Sequence, residues 1–289
     1  MLPAGVLRPA VTGLPRLDRC LVLGILNVTP DSFSDGNRHY PRDAAVEHGL
    51  RLAADGADVV DVGGESTRPG ARRVTAAEEL RRVLPVVRDL VASGVTVSVD
   101  TMRARVAEAA LAEGARLVND VSGGLADPDM ARVVAGSGVA YVAMHWRGHS
   151  ERMRSAAAYT DVVAEVVREL SSRLDALVGA GVSPGQIVVD PGLGFAKLPR
   201  HDWALLRDLG ALRCLGRPLL VGASRKTFLA AALAGGASAT SPPPEGRDPA
   251  TTALTALLAD QGVFAVRVHD VAAGRQAVAV VEALKGSVR

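Results

Sequence analysis

Short apolar, β-branched runs alternate along the chain with longer stretches in which apolar residues return at helical spacing. The runs are LVLGIL (21–26), DVVDVG (58–63), VTVSVD (95–100), RLVND (116–120), VAYVAMH (139–145), QIVVD (186–190), PLLVGAS (218–224) and FAVRVHD (264–270). They read as continuously buried strands rather than alternating ones, as expected where both faces of a sheet are covered. Between them, residues 43–55, 75–92, 103–113, 128–136, 161–179, 202–213 and 249–261 carry the helical pattern, and 271–285 is a further apolar helix. DAAVEHGLRLAADG (43–56) shows the end signals of such a helix, an aspartate at its start and a glycine past its last turn. Eight strand–helix units in about 250 residues predict an α/β fold, a single-domain (β/α)₈ TIM barrel. A doubly wound open sheet has fewer strands and often a GxGxxG turn after the first, and that turn is absent here.

The barrel domain is expected over 19–289, behind a loose N-terminal lead-in at 1–18 that carries three prolines and two glycines. Two segments break the rhythm. Residues 235–248 (GGASATSPPPEGRD) form a Gly/Ser/Pro-rich surface loop, and residues 146–160 form a second long connection after the fifth strand.

Composition narrows the function classes. Hydrophobic residues make up 48% of the chain and charged residues 22%, the balance of a folded globular protein. The net charge is +2 with both signs interspersed, which gives no footprint for nucleic acid or an anionic membrane. No apolar run is long enough to span a bilayer, and the lead-in lacks the apolar core of a secretory signal. Cys20 and Cys214 cannot build a disulfide framework and read as two ordinary thiols. A cytoplasmic enzyme is the expectation.

Polar residues then become informative through where they stand. The eight runs end at Asn27, Asp61, Asp100, Asn119 with Asp120, His145, Asp190, Ser224 with Arg225 and Lys226, and Arg267 with His269. A barrel brings these ends to one mouth, so the set describes a site rather than a solvated rim. Lys226, Arg267 and His269, with Arg68 from the loop after the second strand, could neutralise a diphosphate through charge-assisted hydrogen bonds. Asn27 offers a hard oxygen to Mg²⁺. Asp100, Asn119 and Asp190 are types that hold a flat heterocycle presenting amino and ring N–H donors. Two long loops, LNVTPDSFSDG (26–36) with Phe33 and GGESTRPGA (63–71) with Thr67, Arg68 and Pro69, read as lids over the mouth.

Seven motifs in order complete the picture: GILNVTPDSFSDG (24–36), DVGGESTRPGA (61–71), VSVDT (97–101), VNDVSGG (118–124), DPGLGFAK (190–197), GASRKTFL (222–229) and RVHDV (267–271). Over residues 21–285 the chain resembles the dihydropteroate synthases of folate biosynthesis. The resemblance implies a transferase that condenses 6-hydroxymethyl-7,8-dihydropterin diphosphate with 4-aminobenzoate, is the target of sulfonamides, and works as a homodimer with Mg²⁺. By matching position it implies Asn27 as the Mg²⁺ ligand and Asp100, Asn119, Asp190 and Lys226 as the pterin pocket. Thr67, Arg68, Arg267 and His269 become the diphosphate grip. Phe33, Thr67, Pro69 and Ser224 become the walls of the aminobenzoate site. Lys226, Arg267 and His269 are the residues on which chemistry is expected to turn, by electrostatics and orientation rather than by a covalent nucleophile. MHWRG (144–148) departs from the family's commoner Met-His-Met-Gln-Gly. The alternatives are a methyltransferase acting on methyltetrahydrofolate, which lacks the TRPGA and SRK pattern, and a non-catalytic pterin-binding paralogue, which usually loses pocket residues.

Overall fold

The computed structural model describes residues 10–29, 41–66, 73–149, 156–233 and 242–286. Each apolar run forms a parallel strand: β1 Leu21–Asn27, β2 Val59–Gly63, β3 Val97–Asp100, β4 Leu117–Asp120, β5 Ala140–Met144, β6 Ile187–Asp190, β7 Leu220–Val221 and β8 Ala265–Val268. Their order is β6-β5-β4-β3-β2-β1-β8-β7. No strand is passed over, so the order is that of a ring. A doubly wound sheet would instead reverse direction beside its first strand. The ring closes between β6 and β7 through a parallel bridge pairing Val189 with Leu219, where the Val189 N–H donates to Pro218 O at 2.9 Å. The TIM barrel expected from the pattern is the fold observed.

Period-two alternation sorts the strand side chains into two cores. Leu21, Leu23, Val59, Leu117, Val142, Val188, Leu220 and Ala265 form one cluster, the barrel interior. Their neighbours Val22, Val60, Val118, Tyr141, Val189, Val221 and Val266 pack outward against the helices. Those helices are α1 Pro41–Ala54, α2 Ala76–Ala92, α3 Ala104–Ala112, α4 Met130–Ser137, α5 Val162–Gly179, α6 Pro199–Arg207, α7 Leu209–Arg213, α8 Thr227–Leu233, α9 Asp248–Asp260 and α10 Val271–Leu284. Side-chain oxygens start several of them. Asp161 accepts from the N–H groups of Val163 and Ala164 at 3.0 and 3.1 Å, and Asp270 accepts from Ala273 at 3.0 Å.

Three details differ from the sequence pattern. The lead-in is not loose where it is described: Val11 and Leu14 are buried within the inner cluster, and Thr12 N–H donates to Gly185 O at 3.1 Å. Two apolar side chains close the N-terminal mouth of the barrel without any regular structure, which periodicity cannot detect. The stretch 202–213 is two helices, broken at Asp208, which accepts from Ala211 N–H at 3.1 Å and so restarts the chain as α7. The seven-residue helix α8 was hidden by its shortness. Of the 235–248 loop, residues 242–248 are described; they include a 3₁₀ turn at Glu245–Arg247, and Asp248 already begins α9.

Candidate active site

The alternation that fills the barrel also aims the site. Asp61, Asn119, Asp190 and Arg267 each follow an interior residue by two positions (Val59, Leu117, Val188 and Ala265), so they point up into the mouth at the C-terminal end of the strands. Register brings them side by side, with Gly63 beside Asp100 and Asp100 beside Asn119.

Arg267 organises one half of the mouth. Its Nε donates to Asp61 Oδ2 at 2.6 Å and its terminal nitrogen to Asp100 Oδ2 at 2.7 Å, while Asn119 Nδ2 donates to the same Asp61 oxygen at 2.9 Å. Asp61 is fully buried, and its Oδ1 has no hydrogen-bond partner among the described residues. Burial pushes the Asp100 carboxyl up, opposed by the neighbouring Arg267 guanidinium.

Asp190 and Lys226 form the other half. The Gly192 N–H donates to Asp190 Oδ1 at 2.7 Å. Lys226 donates through Nζ to Leu193 O, and that nitrogen lies 4.9 Å from the centre of the Phe195 ring. A side chain on Gly222 would come within 3.8 Å of Asp190 Oδ2, 3.9 Å of Arg267 Cβ and 4.0 Å of Lys226 Nζ. Glycine there leaves open the space between the two halves. Burial raises Asp190 above the usual carboxylate range and lowers Lys226 to about 8, each opposed by the other's charge. Three buried carboxylates facing two cations leave acceptors to spare, and a ligand rich in N–H donors would satisfy them.

At the rim, Ser224 Oγ and His269 Nδ1 share a hydrogen bond of 2.9 Å, and the His269 N–H donates to Ser224 Oγ at 3.1 Å. Serine thereby sets the orientation of the imidazole. Asn27 ends β1 beside Gly63, half-buried. Phe33, Thr67, Arg68 and Pro69 lie outside the described residues. The residues on either side of 67–72 are both held by Arg103. Arg103 donates to Glu65 Oε2 at 2.6 Å on one side and to Val74 O at 2.5 Å on the other. Arg103 also binds Glu79, which is fully buried and accepts from Thr101 Oγ at 2.6 Å. Glu79→Ala is expected to cost about 3 kcal/mol of folding stability, the lower end for breaking a buried ion pair, because Arg103 keeps Glu65. Urea unfolding would measure it, and a loss below about 1 kcal/mol would show that the contact is incidental.

The structure thus brings together Asp100, Asn119, Asp190, Lys226 and Arg267, and pairs Ser224 with His269. It adds Asp61, for which sequence reasoning assigned no task although it stood among the strand ends. It also accounts for the departure in MHWRG. Arg147 donates to Glu165 at 2.7 Å and to Glu169, and its guanidinium lies 3.8 Å over the Tyr159 ring, so this residue is fastened to α5.

Known proteins share this sequence and fold. The pterin binding enzyme family matches residues 23–269. The dihydropteroate synthase of Mycobacterium leprae is 57% identical over 263 residues, 91% of this chain and 92% of that protein. The structure of Xanthomonas albilineans dihydropteroate synthase with 4-aminobenzoic acid is similar with a TM-score of 0.85 at 45% identity, covering 93% of this chain and 94% of that one. The same enzyme in complex with 7,8-dihydropteroate gives 0.82 at 42% identity, with the same coverage.

Proposed function

This chain belongs to the pterin-binding enzyme family, and from that membership we propose that it makes 7,8-dihydropteroate, condensing 6-hydroxymethyl-7,8-dihydropterin diphosphate with 4-aminobenzoate. The observation that carries the reading is the pair of buried acceptors, Asp100 and Asp190, with Lys226 and Asn119 beside them in one barrel mouth. A pterin presents amino and ring N–H donors to such carboxylates and a carbonyl acceptor to the lysine.

In the reaction the bond between the exocyclic carbon and the diphosphate oxygen breaks, and its electron pair leaves with diphosphate. The aminobenzoate nitrogen supplies the pair for the new C–N bond and then loses a proton. The protein's part is orientation and charge. Arg267, Lys226 and His269 bring positive charge or N–H donors to the departing anion, and Ser224 holds the imidazole in place. No residue here has to become covalently attached.

Among the described residues no group of three or more His, Cys, Asp or Glu gathers into a metal cage. That suits Mg²⁺, which keeps several waters and shares substrate phosphates, with Asn27 as the single protein ligand. When bound, it would supply charge neutralisation to the diphosphate. Asn27→Ala and His269→Ala should each weaken binding of the diphosphate substrate by about 1.5–3 kcal/mol while barely changing the affinity for free pterin. Calorimetry with both ligands tests this, and equal losses for the two would sink the assignment. Dihydropteroate formation, measured with and without Mg²⁺, tests the function itself. Failure to form product from both substrates would overturn it.

Two further readings rest on surface features. Among the described residues no helix is long and apolar enough to cross a membrane, and neither Cys20 nor Cys214 forms a disulfide. The two free thiols support a location in a reducing cytoplasm. Leu257 on α9 and Val280 and Leu284 on α10 are well exposed, and this apolar surface supports a homodimer formed through the last two helices.

A further inference from the structure

The turn from β6 to α6 has a support that the chemistry above does not use. Residues 190–198 carry Asp190, the Leu193 carbonyl that binds Lys226, and the Phe195 ring beneath that lysine. The turn is compact. Gly192 has a φ of +67°, and a Cβ there would meet His145 O at 2.4 Å, so only glycine fits. Folded beneath it is Lys197, whose side chain is almost wholly buried. Its Nζ donates to Gly192 O at 3.0 Å, to Phe195 O at 3.1 Å and to His145 Nδ1 at 2.9 Å. Burial lowers Lys197 to about 7, and in its ammonium form it has three N–H donors and accepts nothing, so all three are then used and His145 Nδ1 is the acceptor. That fixes the imidazole tautomer: Nε2 carries the proton and donates to Glu169 Oε2 at 2.9 Å. Arg147 in turn grips Glu169, with its Nε 3.0 Å from Oε2. A chain of charge-assisted bonds thus runs from α5 to the two carbonyls that flank Leu193.

We propose that Lys197 is the positioning residue of the pterin pocket: by pinning the carbonyls of Gly192 and Phe195 it sets where Leu193 O holds Lys226 and where Asp190 faces the ligand. It touches no substrate atom itself. His145 and Glu169 act behind it, holding the ammonium against the turn. The inference rests on the pterin reading above and refines it, since it concerns how the pocket is held rather than what it binds.

The test is a double-mutant cycle read by calorimetry with 6-hydroxymethylpterin. Lys197→Met keeps the length and burial of the side chain and removes its three donors. It should weaken pterin binding at least about tenfold, and raise KM for the diphosphate substrate more than it lowers kcat. In a Lys226→Met background the same change should cost less than about threefold, because the group it positions is already gone. A packing role alone would cost the same in both backgrounds, and that result would overturn the proposal. His145 offers a second arm if Lys197→Met does not fold. His145→Gln can accept from Lys197 and donate to Glu169, and should bind pterin as the parent does. His145→Leu should lose affinity in the direction of Lys197→Met. Equal pterin affinity for the Gln and Leu variants would also overturn it. Absence of pterin binding by the unmodified protein would instead be a failure of the functional reading, and the two outcomes are distinct.

Discussion

Asp190→Ala is expected to abolish pterin binding, and Asp190→Asn to leave only a trace. The carboxylate is fixed by one backbone bond, from Gly192 N–H to Oδ1, which leaves Oδ2 on the open side toward Gly222 and Lys226. A pterin donating through both its amino group and its ring nitrogen loses two hydrogen bonds to a charged acceptor in the alanine variant. At about 1.5–3 kcal/mol each, the loss is about 3–6 kcal/mol, or more than about a hundredfold in affinity. Asparagine fares little better. The Gly192 N–H selects the amide oxygen, so the NH₂ group takes the place of Oδ2 and points its protons at the ligand's own donors and at the lysine. Isothermal titration with 6-hydroxymethylpterin measures both. Unchanged affinity in Asp190→Ala would remove the residue from the pocket and with it the orientation assigned to the ligand.

Arg267→Met should be equally damaging, but through a different balance. It removes the cation shared by Asp61 and Asp100, two carboxylates with almost no access to water. Breaking a buried pair in this way costs about 3–5 kcal/mol of stability, and activity should fall below detection. The cost should depend on pH. Burial already raises the Asp100 carboxyl to about 7 against the opposing charge of Arg267, and removing that charge raises it further, so above about pH 7 the folded variant holds a proton that the folded parent has lost. Its stability relative to the parent should therefore fall as pH rises above about 7, and recover in acid. Adding Asp61→Asn to Arg267→Met should restore much of the stability and none of the activity. Denaturant midpoints at pH 5 and pH 8 for the single and double variants provide the check. A penalty independent of pH would show that Arg267 matters for packing and not for charge.

What the chain revealed before its structure follows from which interactions are periodic. Strands buried on both faces must be apolar throughout, so eight runs were visible, and their polar last residues marked the mouth. Period two then guarantees that Asp190, two places after Val188, and Arg267, two places after Ala265, share the interior. The sequence was silent where a residue's role depends on a partner far along the chain. Asp61 lies 206 positions from Arg267, and nothing local distinguishes it from the ordinary polar end of a strand. Lys197 sits in a recognised motif, yet its contact with His145 spans 52 positions. Val11 and Leu14 seal the barrel floor with two side chains, too few to make a pattern. The helix α8 is seven residues long, about two turns, and shorter than the windows in which helical spacing can be seen.

The weak closure between β6 and β7 has a consequence for motion. β1 and β2 share five paired positions, whereas β7 has two residues and meets β6 through a single bridge. The least protected strand amide of the ring should be that of Val189, whose N–H reaches across to Pro218 O. Asp190 stands at the end of one side of this join and Lys226 beyond the other, so a bound pterin would span it and act as a rivet. Hydrogen–deuterium exchange at Val189 should slow when pterin binds, by more than at strand amides on the opposite wall such as Val60, because opening the join would then require losing the ligand as well. The binding site would then be the last stave of the barrel, completed by the substrate it holds.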